Sequence, residues 1–397
     1  MVRGVAAVEP AADPKPFGAA DTAFGLDVMR DWCARSPGQN LVFSPSTLAS
    51  ALGMAYLGAR GVTAADMAKV LQLPDSSPAA LAAGLQARLK ALSSLGSPGV
   101  TVAASDQVWT DPTLTTLRSY LDDVATGYGA GVAKAPFSTD PAKAAAEINA
   151  AISAATRGHI SKLVDADMLS QIGWVLTSAL YLDAKWATAF DADQTKPAVF
   201  TLASGKGVTV PFMNGDAFRY AAAGGWQAVS LPYKGGKLTM TALLPPATSA
   251  ACALPSAAQL AAFSGALNGA GAGSAVSAGT ADVSLPKVNL DTSGSAGNMR
   301  PELTRLGMGQ AFSSKADFTG LSRQACCIGF VQQAATLQVG EKGTVGAAAV
   351  AVGIVPSAAV GIPQTTIDFN RPYVLLVSAK ATGEPLFLAE VANPADS

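Results

Sequence analysis

The chain has a single histidine among its 397 residues, His159 in TRGHISKLV. A Ser-His-Asp or Cys-His triad would have to be built on it, and no GxSxG or comparable nucleophile turn accompanies it. Zinc sites that need two or three histidines are excluded on the same ground, and no cysteine cluster replaces them. His159 reads as a solvated turn residue, and the chain is expected to be no enzyme, with no metal and no cofactor. Walker and Rossmann fingerprints are missing too. The glycines of NGAGAGSAVSAG precede no helix start of the required kind.

Charge is scarce, 14% of residues with a net of −1, and the basic residues are scattered. Without a basic stripe, neither nucleic acid nor an anionic membrane is an expected partner. No window supplies the roughly 18 uninterrupted apolar residues that span a bilayer. The opening MVRGVAAVEPAADPKPFG is broken by prolines and acids where a signal peptide needs an apolar run. No signal peptide is visible, so the chain is expected to be cytoplasmic, or secreted after processing. Its four cysteines, Cys33, Cys252, Cys326 and Cys327, show no CxxC and no matched spacing, and adjacent cysteines bridge each other only with strain. They are expected as reduced thiols.

What is present is apolar material, 49% of the chain, enough for a sizeable core. Phe24, Val28 and Trp32 fall four apart in DTAFGLDVMRDWCAR, the spacing of one helical face. NLVFSPSTLASALGMAYLGARG gives a short strand, a break at Ser44 and Pro45, and a helix apolar all round, hence buried. Ala145, Ile148, Ile152 and Ala155 stripe a further helix, which leads into GWVLTSALYLDAKW, apolar on both alternate faces as a central strand would be. Alternating strands follow from about 198 to 245, and the chain closes on a hairpin with Thr382 and Gly383 at its tip. Helices first and sheets later make an α+β fold. Residues 1–17 are expected to be a flexible tail and 18–397 a single domain.

Several segments in order resemble the serpin family: NLVFSPSTLASALGMAYLGARGVTAADMAKVL, GWVLTSALYLDAKWATAF with its Lys185 and Trp186, SLPYKGGKLTMTALLP, and DFNRPYVLLVSAKATGEPLFLAEVANP with Phe369, Asn370, Arg371 and Pro372. The match runs from about residue 18 to 395. The resemblance implies three β-sheets, eight or nine helices and an exposed reactive-centre loop, here about 341–364. It implies suicide inhibition of a serine protease, or in some members a cysteine protease, by a monomeric inhibitor. Non-inhibitory members act as carriers, chaperones or mere protease substrates, and that is the alternative. The helix that binds heparin in some relatives has only Arg88 and Lys90 as cations, so no glycosaminoglycan is expected.

The loop region GEKGTVGAAAVAVGIVPSAAVGIPQ, residues 340–364, suits that role physically. From Gly343 to Gly353 it has no charge, no bulky side chain and no proline, each of which would obstruct insertion as a central strand. Thr344, Gly346 and Ala348 alternate with Val345, Ala347 and Ala349, so one set faces the core and the other the opposite face. About 15 inserted residues at about 3.3 Å each would span roughly 50 Å. The resemblance makes Glu341 the hinge acid, with Gly343 supplying backbone freedom, and places Lys287 and Trp186 at the top of the sheet where Lys287 would pair with Glu341. Inhibitory serpins commonly place the cleaved bond after the residue sixteen positions beyond the hinge acid, so the resemblance implies Ser357–Ala358 here, with Ala359, Val360 and Gly361 as alternatives. A small residue there would select elastase-like or subtilisin-like proteases. Where the sheet opens, the family's usual histidine and asparagine are replaced by Gln333 and Ser178, above Ser44 and Thr47. A hydrogen bond from Gln333 to Ser178 is the expected substitute.

Overall fold

The structure, a computed structural model, describes residues 1–74, 77–169, 173–247, 252–269, 276–292, 297–344 and 365–396. Among the described residues are nine α-helices and two hydrogen-bonded sheets. The six-stranded sheet runs, in spatial order, Val288–Thr292, Val331–Gly340, Gly343–Thr344, Trp174–Lys185, Val100–Thr110 and Val132–Lys134. In the nine-stranded sheet, Gly207–Ala223 is one long strand with a register shift between Gly215 and Phe218. That shared strand joins what the family pattern counts as the second and third sheets.

The central strand Trp174–Lys185 is buried along nearly its whole length, as its two-faced apolar pattern requires. Its odd positions Val175 and Ala179 meet the helix Pro141–Ala155, whose Ala145, Ile148 and Ile152 are buried against Trp109, Phe330 and Ala334. Its even positions Leu180, Leu182 and Ala184 join Tyr233, Leu238 and Met240 of the nine-stranded sheet. Under the lower half lies the helix Pro45–Gly58, buried everywhere but at Tyr56 and Leu57. Ser44 caps it by accepting the Thr47 N–H at 3.3 Å, and Pro45 fits the first turn, where no N–H is needed.

One expectation is corrected. Cys33 and Cys252, 219 positions apart in sequence, are joined by a disulfide with Cα atoms 5.6 Å apart. The absence of local spacing motifs says nothing about a pair made by the fold. Residues of the N-terminal stretch make contacts with the rest of the chain. Val2 exchanges backbone hydrogen bonds of 2.7 and 2.9 Å with Val132. Further along, Val5, Ala7 and Glu9 donate their N–H groups to Asp122, Thr126 and Gln86.

Candidate functional site

Glu341, the expected hinge acid, sits in a two-residue turn. Val331–Gly340 ends at Gly340, Glu341 and Lys342 reverse the chain, and Gly343–Thr344 returns antiparallel to it. On its other side the returning pair is antiparallel to the central strand, Gly343 opposite Lys185 and Thr344 opposite Ala184. Gly343 and Thr344 thus lie inside the sheet. Gly343 has φ of +150°, and a Cβ there would lie 2.1 Å from the Ala184 carbonyl oxygen, so the position admits only glycine.

The contacts around this turn come from four separate stretches of chain. Lys287 Nζ lies 3.0 Å from each Glu341 carboxylate oxygen, and Thr195 donates to Oε1 at 3.0 Å. Burial alone would raise the Glu341 carboxyl; its own N–H, Lys287 and Thr195 outweigh that and hold it below the usual value. Trp186 is the anchor. Its backbone N–H donates to Lys342 at 3.0 Å, its indole N–H to the Gly340 carbonyl at 2.8 Å, and its ring stacks on Tyr233 at 4.5 Å. Thr344 is 1% exposed and its hydroxyl meets the Tyr233 hydroxyl at 2.5 Å. Thr344 thus faces the buried core residue Tyr233. Val345, Gly346, Ala347, Ala348 and Ala349, and the candidate bonds from Ser357 through Ala358, Ala359 and Val360 to Gly361, lie outside the described residues.

Below the hinge the neighbouring strands close on each other directly. Val331–Gly340 and Trp174–Lys185 pair in parallel over five positions, Val331 to Ala335 against Leu176 to Leu180. In the middle of that ladder stands the fully buried Gln333. Its amide N–H groups reach the Ser44 carbonyl at 2.9 Å, Thr47 Oγ1 at 3.2 Å and Ser178 Oγ at 3.4 Å, while its Oε1 accepts the Ser44 N–H at 3.3 Å. Ser44, Thr47, Ser178 and Gln333 are thus brought together. The Ser178 contact is the longest, and most of the bonding runs to the cap of the helix beneath.

Three participants escaped the sequence. Asp106, on Val100–Thr110, is the register partner of Ser178, as Gln333 is on the other side, so three polar residues cross three strands at one level. Burial pushes the Asp106 carboxyl up to about 8, against Arg88 and the Ser178 hydroxyl, which lower it. The one charge in the stretch VTVAASDQVWT was the available signal. Tyr233 and Thr195 carried none, being an aromatic and a hydroxyl in ordinary loop and strand contexts. Arg88 is not a surface cation. Its guanidinium is buried between Asp21 and Glu384, at 2.6 Å from each, and also bonds Ser50 and the Ser46 carbonyl. Among the described residues, no group of three or more His, Cys, Asp or Glu side chains is arranged to hold a metal ion.

The comparisons with known proteins bear on the whole of this architecture. Residues 19–394 match the family described as serpin (serine protease inhibitor). An uncharacterized serpin-like protein of Thermococcus kodakarensis is 30% identical over 392 residues, covering 96% of this chain and 87% of the relative. The leukocyte elastase inhibitor of Bos taurus is 29% identical over 384 residues, 95% of this chain and 99% of that one. The structure of human thyroxine-binding globulin superposes with a TM-score of 0.80 at 24% identity, over 96% of this chain and 100% of the other, which speaks to the fold alone. With the family match running over residues 19–394 and a relative 30% identical across 96% of the chain, this protein belongs to the serpin family.

Proposed function

We propose that this serpin is an inhibitor of elastase-like or subtilisin-like serine proteases that traps its target covalently by inserting its cleaved loop into the six-stranded sheet. The observation that carries the reading is the position of Gly343 and Thr344. They occupy the seam between Val331–Gly340 and Trp174–Lys185, which below them is closed by direct pairing. Insertion would continue a strand that has already started. The sequence behind it, VGAAAVAVG from 345 to 353, is uncharged and small enough to follow.

The protease would attack the bait carbonyl, with Ser357–Ala358 as the preferred bond, and form an acyl-enzyme. Deacylation then competes with insertion. Each strand added to the seam exchanges one ladder for two, which drives the loop, and the tethered protease with it, toward the far end of the sheet. The chain itself supplies no catalytic residue. Its similarity to an inhibitor named for leukocyte elastase supports the small-pocket target.

Mixing the chain with a pancreatic-type elastase or with subtilisin tests this. An SDS-resistant covalent band and stoichiometric loss of protease activity are expected, and sequencing the released fragment places the cut. Cleavage with full protease survival would instead assign the chain to the substrate or carrier class.

A further inference from the structure

Away from the hinge, the described residues include two free thiols in contact, Cys326 and Cys327, with their sulfurs 3.0 Å apart. Cys326 is exposed and Cys327 partly so. The short stretch that bears them is fastened at both ends. On one side the Gln324 side-chain oxygen accepts the Thr115 N–H at 3.1 Å. On the other, Ile328 is fully buried and donates its N–H to the Ala311 carbonyl at 3.0 Å. Arg300, bonded to the Gly329 and Phe312 carbonyls at 3.2 Å each, supplies a positive charge that acts on Cys327. Burial and the neighbouring sulfur dominate nonetheless and push the Cys327 thiol up to about 11. Cys326 is therefore the sulfur a reagent meets first, with Cys327 held directly behind it.

We propose that Cys326 and Cys327 form a thiol–disulfide exchange site, which takes low-molecular-weight disulfides and closes reversibly into a bond between the two neighbours. In the first step the Cys326 thiolate attacks one sulfur of the disulfide RSSR. A mixed disulfide forms on Cys326 and RS⁻ leaves. Cys327 then gives up its proton and attacks the Cys326 sulfur, and the second RS⁻ leaves. The protein loses two electrons and two protons, and RSSR gains both to depart as two RSH.

Closure asks the sulfurs to approach by about 1 Å, from contact to a bond of about 2.05 Å. Adjacent Cα atoms are held at about 3.8 Å, short of the usual disulfide range of about 4.4–6.8 Å. A strained and exposed bond of this kind is the easily reduced sort. Cys33–Cys252, with Cα atoms 5.6 Å apart, falls inside the range and fits a structural role. The two pairs thus divide the chain's four cysteines into a permanent bridge and a labile one.

The test incubates the full chain with excess oxidised glutathione at neutral pH, quenches in acid and reads the peptides by mass spectrometry. The wild type is expected to finish two hydrogens lighter at the peptide carrying 326 and 327, with no glutathione retained, and mild dithiothreitol should restore both thiols while Cys33–Cys252 stays intact. Cys327→Ser, lacking the second attacker, should keep one glutathione on Cys326, and Cys326→Ser should react at least tenfold more slowly. A wild type that retains glutathione stably, or whose pair stays unreacted, overturns the proposal, as does a Cys326→Ser variant that reacts at the wild-type rate.

Discussion

Replacing Thr344 by arginine puts a charge at the first turn of the seam. Thr344 is 1% exposed, lies between Val339 and Ala184 in register, and bonds Tyr233. A guanidinium there would meet the apolar side of the central strand, Leu182 and Ala184, and the neighbouring carboxylate Glu341 is already held by Lys287 and Thr195. Burying an unpaired charge costs several kcal/mol even after relaxation. The loss of the Tyr233 hydrogen bond adds about 1 kcal/mol. In the resting protein the hinge escapes the larger cost by leaving the sheet, so the penalty falls on insertion. Taking about 4 kcal/mol, insertion slows by roughly a thousandfold against an unchanged deacylation step. Recognition of the bait, thirteen residues further on if the bond follows Ser357, is untouched. Thr344→Arg should therefore be cut by elastase or subtilisin at the wild-type rate but release active protease, with cleaved product replacing the SDS-resistant band. Thr344→Ser keeps the hydroxyl and should behave as wild type. If Thr344→Arg titrates the protease with wild-type stoichiometry, the hinge does not enter the sheet as argued.

Other parts of the molecule give separate expectations. Asp106→Asn tests the buried carboxyl: with a folded value near 8 against an unfolded one near 3.8, the folded wild type holds an extra proton between them, so its stability falls as pH rises through that window. Urea midpoints should show the variant gaining on the wild type from pH 4 to pH 9; a constant difference refutes the assignment. Arg88→Met leaves Asp21 and Glu384 buried together without their cation, and chemical unfolding should register a loss of about 3–5 kcal/mol. Cys252→Ser opens the Cys33 bridge and should cost about 2–4 kcal/mol, with reductant lowering the wild type to the level of the variant and leaving the variant unmoved.

Local periodicity carried most of the fold. Phe24, Val28 and Trp32 are all buried on one helix, and the two-faced strand is central, because each pattern repeats within a few residues and needs no distant partner to be read. The strand Val100–Thr110 escaped, since Asp106 and Gln107 interrupt its alternation for reasons that lie on other strands. The helix Arg118–Tyr128 escaped as well. The hinge turn was legible through its resemblance to the family pattern, and so was the pairing of Lys287 with Glu341. Its other partners were not. Tyr233 lies 111 residues from Thr344 and Thr195 lies 146 from Glu341, and no spacing rule connects such pairs. Arg88 misled for the same reason: its charge says surface, and only Asp21 and Glu384, brought in by the first helix and the last hairpin, make it an interior residue.

On the proposed reading, the ladders themselves decide where the sheet divides. The central strand is tied to Val100–Thr110 by eleven antiparallel register pairs but to Val331–Gly340 by five, in parallel, the slightly weaker geometry. Separation at the second boundary breaks fewer bonds. It leaves Asp106 opposite Ser178, because those two travel together, and it takes Gln333 away from Ser178, its longest contact at 3.4 Å. The bonds from Gln333 to Ser44 and Thr47 are shorter and reach the helix beneath rather than across the seam. They resist any movement of Val331–Gly340 relative to that helix. Opening therefore has to break both the five-pair parallel ladder and the hold of one buried amide on the cap of the helix under it.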